Sequence, residues 1–321
     1  ITMEMVIVYA VILDLVLGDP RWMPHPVIGM GKAISWSEGI IRRWTQSPSG
    51  LKSAGVVLTL LLTGGTYLIF WSLLYLAFKI NNLLGLILSI FWMSQTLAVN
   101  SLYQHAIKVV VPLVRDDLEK ARSELAMIVG RDTAELDKPG IIRAVVETVA
   151  ENTVDGITSP LFYGFLGGPP LAMAYKAVNT LDSMVGYRDE RYIDLGWAAA
   201  RLDDIVNYIP ARLTGVIYVF ISPFTAGGIK GVWNTVRRDA PKHPSPNGGI
   251  PEAAVAGALG IQLGGINYYK GIESNRARMG EPRHPLKIKH IYYALYIMLA
   301  VSVLAVILGI AARLLIGRVL L

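Results

Sequence analysis

The chain has 321 residues, 53% hydrophobic and only 17% charged, with a net charge of +6 at pH 7. An ordinary soluble domain carries about 25% charged residues, so that class is excluded, and the mean hydropathy of +0.45 reads as an integral membrane protein. Cysteine is absent, which excludes disulfides and thiolate chemistry, and no basic stretch is interleaved with aromatics, so nucleic acid is not expected as a partner.

In chain order, the first apolar run, Met5–Leu17, is short, contains Asp14 and lacks the basic segment and cleavage site of a signal peptide. The turn-rich GDPRWMPHPVIGMG follows, with Asp19, Arg21 and His25 among its prolines. Leu51–Phe78 carries only Lys52, and Leu83–Val99 carries no charge. Apolar runs of about 17 or more residues read as transmembrane helices. The short Asn81-Asn82 connection puts segments 18–54 and 100–156 on one side of the membrane. Arg21, Lys32, Arg42, Arg43 and Lys52 in the first, with Lys108, Arg115, Lys120 and Arg122 in the second, make that side cytoplasmic. Residues 102–138 read as soluble helices. Ile157–Ala174, Ile205–Phe224 and Ala253–Ile266 are apolar but broken by Gly or Pro, and fit full spans, re-entrant segments or helices buried in a bundle. A basic stretch, 267–289, precedes the last uncharged run, Ile291–Ala312. The expectation is an all-α polytopic protein with four to six crossings, one integral membrane domain over 1–321. Within it, 102–156 and 223–289 are mainly cytoplasmic loops.

Four polar constellations stand out. In VETVAENTVDG, Glu147, Glu151 and Asp155 are four apart, within an arc of about 80° on one helix face. Like charges so placed cost about 0.2–0.5 kcal/mol per pair, and Asp155, before Gly156, opposes the dipole of a helix end. The stripe is either a solvated face paired to bases such as Arg143, or a row for a hard cation such as Mg²⁺. Further on, Lys176, Asn179, Thr180 and Ser183 share one helix face, opposite Ala177, Leu181 and Met184. A lysine among hydroxyls and an amide suits a phosphate or carboxylate; the alternative is a polar seam between helices. In AARLDDIVNYIPAR, Asp203 and Asp204 lie within reach of Asn207 on the same helix. Two acids at the edge of an apolar run need solvent, a metal or a partner such as Arg201 or Arg212. Finally, Gly248-Gly249 and Pro251 open a helix after Arg237, Arg238, Lys242 and His243, an anion site in principle. Together these describe phosphate handling at a membrane face, with Mg²⁺ as the cation.

NTLDSMVGYRDERY and AARLDDI, with DLVLGDPRWMPHPVIGMG, GRDT at 130–133 and KHPSPNGGIPEAAVAGALGIQLGG, strongly resemble the CobD/CbiB family of cobalamin biosynthesis, the membrane-bound adenosylcobinamide-phosphate synthases. The one departure is Gly248, where many members carry alanine. The resemblance spans nearly the whole chain. It implies condensation of adenosylcobyric acid with (R)-1-amino-2-propanol phosphate, or a related amino alcohol, driven by ATP through an acyl phosphate. It also implies the plasma membrane, with the active site facing the cytoplasm, and other cobalamin-assembly membrane enzymes as partners. On this reading Glu147, Glu151, Asp155, Asp203 and Asp204 hold Mg²⁺. Lys176, Asn179, Arg201, Arg237, Lys242, Asn247, Gly248 and Gly249 bind phosphates. Lys176, Asp182, His243 and His25 are the catalytic candidates, either histidine taking the amine proton. Phe162, Tyr163 and Trp197 offer an apolar rest for the corrinoid. The competing class is a transporter or an AmpE-like sensor sharing the fold.

Overall fold

Apolar runs closed by helix-stopping residues set the element boundaries in the computed structural model, which describes residues 2–20, 25–187 and 189–319. Arg21 and Arg188, both within the motifs above, lie outside the described residues. The helices are α1 (Met3–Leu17), α2 (Pro26–Trp44), α3 (Pro48–Ile80), α4 (Asn82–Ser94), α5 (Val99–Val114), α6 (Leu118–Ala126), α7 (Lys138–Thr153), α8 (Ser159–Val185), α9 (Trp197–Val206), α10 (Tyr208–Ile221), α11 (Gly228–Asp239), α12 (Gly249–Leu259) and α13 (Lys289–Val319). The caps are legible in the residues. Ser47 accepts from the Gly50 N–H at 3.2 Å ahead of α3, with Pro48 in its first turn. Asn81 closes α3 and also opens α4, its Oδ1 accepting from Leu83 N at 2.7 Å.

The chain divides into two compact units. The first comprises Ile1–Ala98, Ser159–Asn207 and Val306–Leu321. Here α3 packs against α2, α4, α8 and α9, and α1 against α4 and α8. Ile34, Leu58, Leu181, Val185 and Ala199 form one buried core; Met30, Met173 and Ala177 form another. The apolar face of α8 read from the sequence is therefore its core face. Glu38 ties α2 to the segment after α8, accepting from Arg42 Nε at 2.8 Å and Arg191 Nη2 at 3.0 Å. That ion pair accounts for part of the YRDERY string. Helix α8 bends at Gly168, whose φ of +71° suits glycine, ahead of Pro169 and Pro170, which lack N–H donors.

The second unit comprises Val99–Thr158 and Tyr208–Ala305. Its centre is α12, buried along its whole length and packed against α7, α10, α11 and a β-hairpin. The hairpin, β1 (Leu263–Tyr269) and β2 (Ile272–Met279), pairs antiparallel with Tyr269 opposite Ile272. It is the one departure from an all-helical chain among the described residues, in a stretch expected to be a basic loop. Lys270 and Gly271 both take positive φ (52° and 78°), the geometry of a tight two-residue hairpin turn. Asp132 pins that turn, accepting from Lys270 N at 3.1 Å and Gly271 N at 2.7 Å.

Among the described residues, three helical stretches are long and apolar enough to cross a membrane: Pro48–Ile80, Asn82–Val114 and Lys289–Leu315. The bent pair Trp197–Val206 and Tyr208–Phe224 makes a fourth if counted as one span, so the count reaches only the low end of the expected four to six. The physical reasons are local. The second stretch reaches Val114, into residues expected to be soluble. Ile157–Ala174 is broken at Gly168, and Ala253–Ile266 divides between α12 and β1. At about 1.5 Å per residue, the 11 residues of α12 fall far short of a bilayer.

Gly257 of α12 faces the Gly231 carbonyl and the Thr235 hydroxyl of α11 so closely that a Cβ would overlap both. Overpacking of this kind costs about 1–3 kcal/mol. Gly257→Ala should accordingly lower the melting temperature of the detergent-solubilised protein, as followed by intrinsic fluorescence; an unchanged melt would mean the crossing yields without strain.

Candidate active site

The second unit gathers a cluster of buried charge. Glu147 of α7 is 2% exposed. Its Oε2 lies 2.6 Å from Arg131 Nη2, and its Oε1 accepts from Gly264 N at 2.7 Å. Arg131 also donates to Asn267 Oδ1 at 2.9 Å, and Arg143 donates to the carbonyls of Gly264 (2.5 Å) and Ile266 (2.9 Å). The first acid of the stripe is thus a fixing point for the hairpin, engaged by Arg131, a backbone amide and, at 3.9 Å, the Nε of Arg143, the base expected beside it. Glu151, one turn on, is half-buried. Asp155 does not close a helix: it lies in a π-helical turn, Val154–Thr158, that carries the chain from α7 into α8. The wider turn takes Asp155 out of the α-helical spacing on which the three-acid stripe depended. Such turns are frequent at functional sites. The Thr158 hydroxyl meets that of Thr214 at 2.7 Å.

Beside these acids sit two groups at the head of α12. Glu252, alone among apolar residues in PEAAVAGALG, is 2% exposed. Burial, then the negative charge of Glu147 and Glu151, pushes its carboxyl well above the ordinary range. The His243 ring approaches it, Nε2 lying 3.9 Å from Glu252 Oε1, with both side chains at most 5% exposed. His243 Nδ1 is 3.1 Å from both the amide and the carbonyl of Ser245. Burial holds this imidazole below its ordinary pKa, so it is neutral at neutral pH. Arg276 of β2 is half-buried and interacts electrostatically with Glu252, Glu151 and Glu147.

The glycine turn is closed by its own chain. A Cβ on Gly249 would meet the Ala240 carbonyl and the His243 side chain, so glycine here admits that close approach. Asn247 N and Gly248 N both donate to Ser245 Oγ at 3.2 Å, and Asn247 Oδ1 accepts from Arg212. Lys242 donates to Asp239 at 2.7 Å, and Asp239 also binds Arg238 and Gly280 N. These two bases hold its carboxyl far below the ordinary range, against the opposing effect of burial. Arg237 is exposed.

The first unit holds the other acids. Asp203 Oδ2 accepts from Asn207 Nδ2 at 3.0 Å, and Asn207 Oδ1 accepts from Ser159 (2.7 Å) and Tyr175 (2.9 Å). The four-residue spacing read between Asp203 and Asn207 is thus a real hydrogen bond. Asp203 interacts with Asp182, Asp204 and the Asn179 amide, and its Oδ1 is buried without a hydrogen-bond partner. Lys176 and Asn179 are half-buried on α8. The hydroxyls of Thr180 and Ser183 donate to the carbonyls of Lys176 (2.7 Å) and Asn179 (2.8 Å), one turn back. Arg201 is exposed. Tyr163 stacks on Tyr175 with ring centres 5.2 Å apart and donates to the Val206 carbonyl. Trp197 lies under Lys52 Nζ at 4.2 Å. An apolar cleft of about 720 Å³ lies elsewhere in this unit, between Met3, Trp71, Tyr75, Phe78 and the Gly168-Pro169 bend. His25 caps α2, accepting from Val27 N at 3.2 Å, with Asp19 3.5 Å from its other nitrogen.

Among the described residues no three His, Asp or Glu side chains close around a point as a protein-only metal cage. Mg²⁺ does not require one, since it takes one or two carboxylates and completes its shell with phosphate oxygens and water. The Asp203 carboxylate, with an unpartnered buried oxygen beside Asp182 and Asp204, fits that need. Glu147 does not, because both of its oxygens are engaged. Sequence reasoning passed over Glu252, Arg276 and Asp239. A lone acid inside an apolar helix was the available signal for the first; the other two depend on pairings distant in the chain.

A family model described as CobD/Cbib protein matches residues 7–298. The chain is 48% identical over 281 residues to the cobalamin biosynthesis protein CobD of Geobacter metallireducens, covering 88% of this chain and 87% of the relative. It is 46% identical to the CobD of Pelobacter propionicus, over 86% and 85% of the two chains. With the cobalamin biosynthesis protein CbiB of Salmonella arizonae it shares 45% identity, over 94% and 95%. No solved structure matches.

The raised Glu252 pKa has a consequence for stability. The unfolded chain loses this proton near the ordinary value of 4.5, whereas the folded chain retains it. The folded state therefore loses stability as pH rises above that point, until its own pKa is reached. Glu252→Gln should melt higher than the parent near neutral pH and match it near about pH 4. Equal melting curves at both would place the carboxyl in a far more polar setting.

Proposed function

The chain belongs to the CobD/CbiB family, and on that premise we propose that it is a ligase of cobalamin biosynthesis that uses ATP to join adenosylcobyric acid to an amino-alcohol phosphate. The observation that carries the chemistry is the Asp203 carboxylate, with its unpartnered buried oxygen among Asp182, Asp204 and Asn179. A corrin propionate does not accept an amine without activation. Transfer of the terminal phosphoryl group to the propionate gives an acyl phosphate and releases ADP. The amine nitrogen then bonds to the carbonyl carbon, the carbon–oxygen bond to phosphate breaks, and the nitrogen loses a proton. Phosphoryl transfer depends on positioning and charge neutralisation. Asp203 and Asp204 would hold Mg²⁺, which supplies that neutralisation when bound. Lys176, on the same helix α8 as Asp182, would neutralise the transferring group. His243, neutral and with Nδ1 accepting from Ser245 N, is the second unit's own candidate for the amine proton.

The basic segments support a cytoplasmic side of the plasma membrane for these residues, where ATP is found. Single cysteines at Ser35, Ser123, Ser245 and Ser274 should all react with an impermeant thiol reagent from the cytoplasmic side only, in a chain that has no cysteine of its own. Labelling of Ser245 from outside would remove His243 from the reaction.

Lys176 is tested by ATP-dependent amide formation with purified protein, corrinoid binding being followed separately by absorbance. Loss of one transition-state donor costs about 10²–10³ in rate. Lys176→Met should lose that much kcat with corrinoid binding intact, and Lys176→Arg should recover only part, since its planar fork presents the charge differently. Near-normal kcat in Lys176→Met would return this residue to a polar seam between helices. Parent protein that consumes no ATP and forms no amide would overturn the ligase reading itself.

A further inference from the structure

We infer that helix α11, with the Ser222–Phe224 turn before it, lies in the membrane interface and binds an anionic phospholipid surface. Its 12 residues span about 18 Å, too short to cross a bilayer core of about 30 Å. The sequence GIKGVWNTVRRD folds instead as an amphipathic helix. Val232, Thr235 and Asp239 are buried, and α11 packs against α12. The other face is exposed but is not that of a solvated helix. At about 100° per residue, Ile229, Trp233, Arg237 and Lys230 follow one another across an arc of about 100°. Ile229 is 53% and Trp233 56% exposed, and both bases are exposed beside them. The one acid of α11, Asp239, is buried and held by Arg238 and Lys242, so the exposed face is purely basic and apolar. Apolar residues at one edge and long bases at the next suit an interfacial helix. Indole and aliphatic groups enter the acyl boundary, while Lys and Arg stems reach back to the phosphates.

The preceding helix supplies an independent reason for lipid. Ile209, Leu213, Val216 and Phe220 of α10 are all about half exposed or more. Their spacing of three or four residues puts them on one face. This helix is half of the bent pair counted as a fourth span, so that stripe meets acyl chains. Four residues beyond Phe220 stands Phe224, 93% exposed, a cost in water that lipid removes. It joins the stripe of α10 to the Ile229–Trp233 edge of α11. The apolar surface therefore runs on from a lipid-facing helix, and the bases sit at its rim, where anionic headgroups would meet them. Because α11 runs into the Ala240–Lys242 turn, anchoring it fixes the following His243 loop at the membrane surface. Neither ATP nor corrinoid is needed for this contact.

Spin labelling of the full chain tests this, since it has no cysteine of its own. Ile229→Cys, Trp233→Cys and Asn234→Cys, each carrying a nitroxide, are reconstituted separately into nanodiscs of phosphatidylcholine with or without phosphatidylglycerol. Power saturation then compares relaxation by oxygen, which concentrates in lipid, with relaxation by a water-soluble nickel chelate. Labels at 229 and 233 should respond to oxygen over nickel, and the label at 234, beyond the bases, the other way round. Phosphatidylglycerol should enlarge the immersed share at 229 and 233. Lys230→Gln or Arg237→Gln should each lower the ratio of immersed to exposed label about fivefold in those discs, with no change in phosphatidylcholine alone. Phe224→Ser should move the label at 229 toward water. These positions are all exposed, and an unaltered melting temperature separates a lost contact from a lost fold. Nickel-accessible labels at 229 and 233 in both discs would overturn the proposal, since the face would then be solvated. Labels shielded from both reagents would overturn it too, because a second copy or another protein would then cover the face. Immersion that ignores phosphatidylglycerol and both bases would remove the anionic lipid as the ligand.

Discussion

The second unit is organised around one buried ion pair, Arg131–Glu147. Removing one partner of such a pair leaves an uncompensated charge in a poor dielectric and costs about 3–5 kcal/mol. Here the pair also consumes a strand amide, because Gly264 N donates to the same carboxylate. Arg131 continues to Asn267 on β1, and the adjacent Asp132 caps the hairpin turn. Three segments distant in sequence, 131–132, α7 and the hairpin, are thereby fixed to one another before any catalytic demand is considered. The hairpin in turn presents Arg276, and α7 presents Glu151, toward Glu252.

That constraint explains why the unit tolerates Glu252. A buried acid whose carboxyl is pushed well above its ordinary range is destabilising by itself, and nothing in hydrophobic packing calls for it. A scaffold held by the Arg131–Glu147 pair and by the close α11–α12 crossing can sustain such a group. Perturbed acids of this kind concentrate where chemistry is done, since an enzyme accepts local strain in exchange for a preorganised site. His243 fits the same logic: its ring is locked by the Ser245 backbone while its other nitrogen is left open.

How much of this was legible in the residues depended on the range of the interaction. Membrane helices, the Asn81 hinge between α3 and α4, and the core face of α8 follow from local hydropathy and capping, so they could be read directly. So could the Asp203–Asn207 contact, a four-residue helical spacing. The hairpin could not, because Arg276 and its neighbours carry the same basic composition as a cytoplasmic loop, and only Asp132, far upstream, pins the turn. The acid stripe failed at a single backbone detail. A π-turn at Val154–Thr158 has no simple sequence signature, and it changes the spacing of Asp155 from Glu151. The glycine pair 248–249 was read as space for a ligand, whereas the space is filled by Ala240 and His243. Sequence shows that a side chain is missing, and the packing partner that takes its place is a tertiary fact.

The two acid clusters differ in a way that bears on their chemistry. Asp203 is held by a neutral relay, Tyr175 and Ser159 donating to Asn207 and Asn207 donating to Asp203. Neutral donors orient a carboxylate without cancelling its charge, which is what a ligand for a hard cation requires. Glu147, by contrast, is neutralised outright by a guanidinium and can only serve as structure. Glu252 lies between these extremes, near Arg276 and left without a hydrogen bond on Oε1. Partner chemistry thus divides these acids into one neutralised by a guanidinium and one oriented by neutral donors, a distinction that their spacing along the sequence does not make.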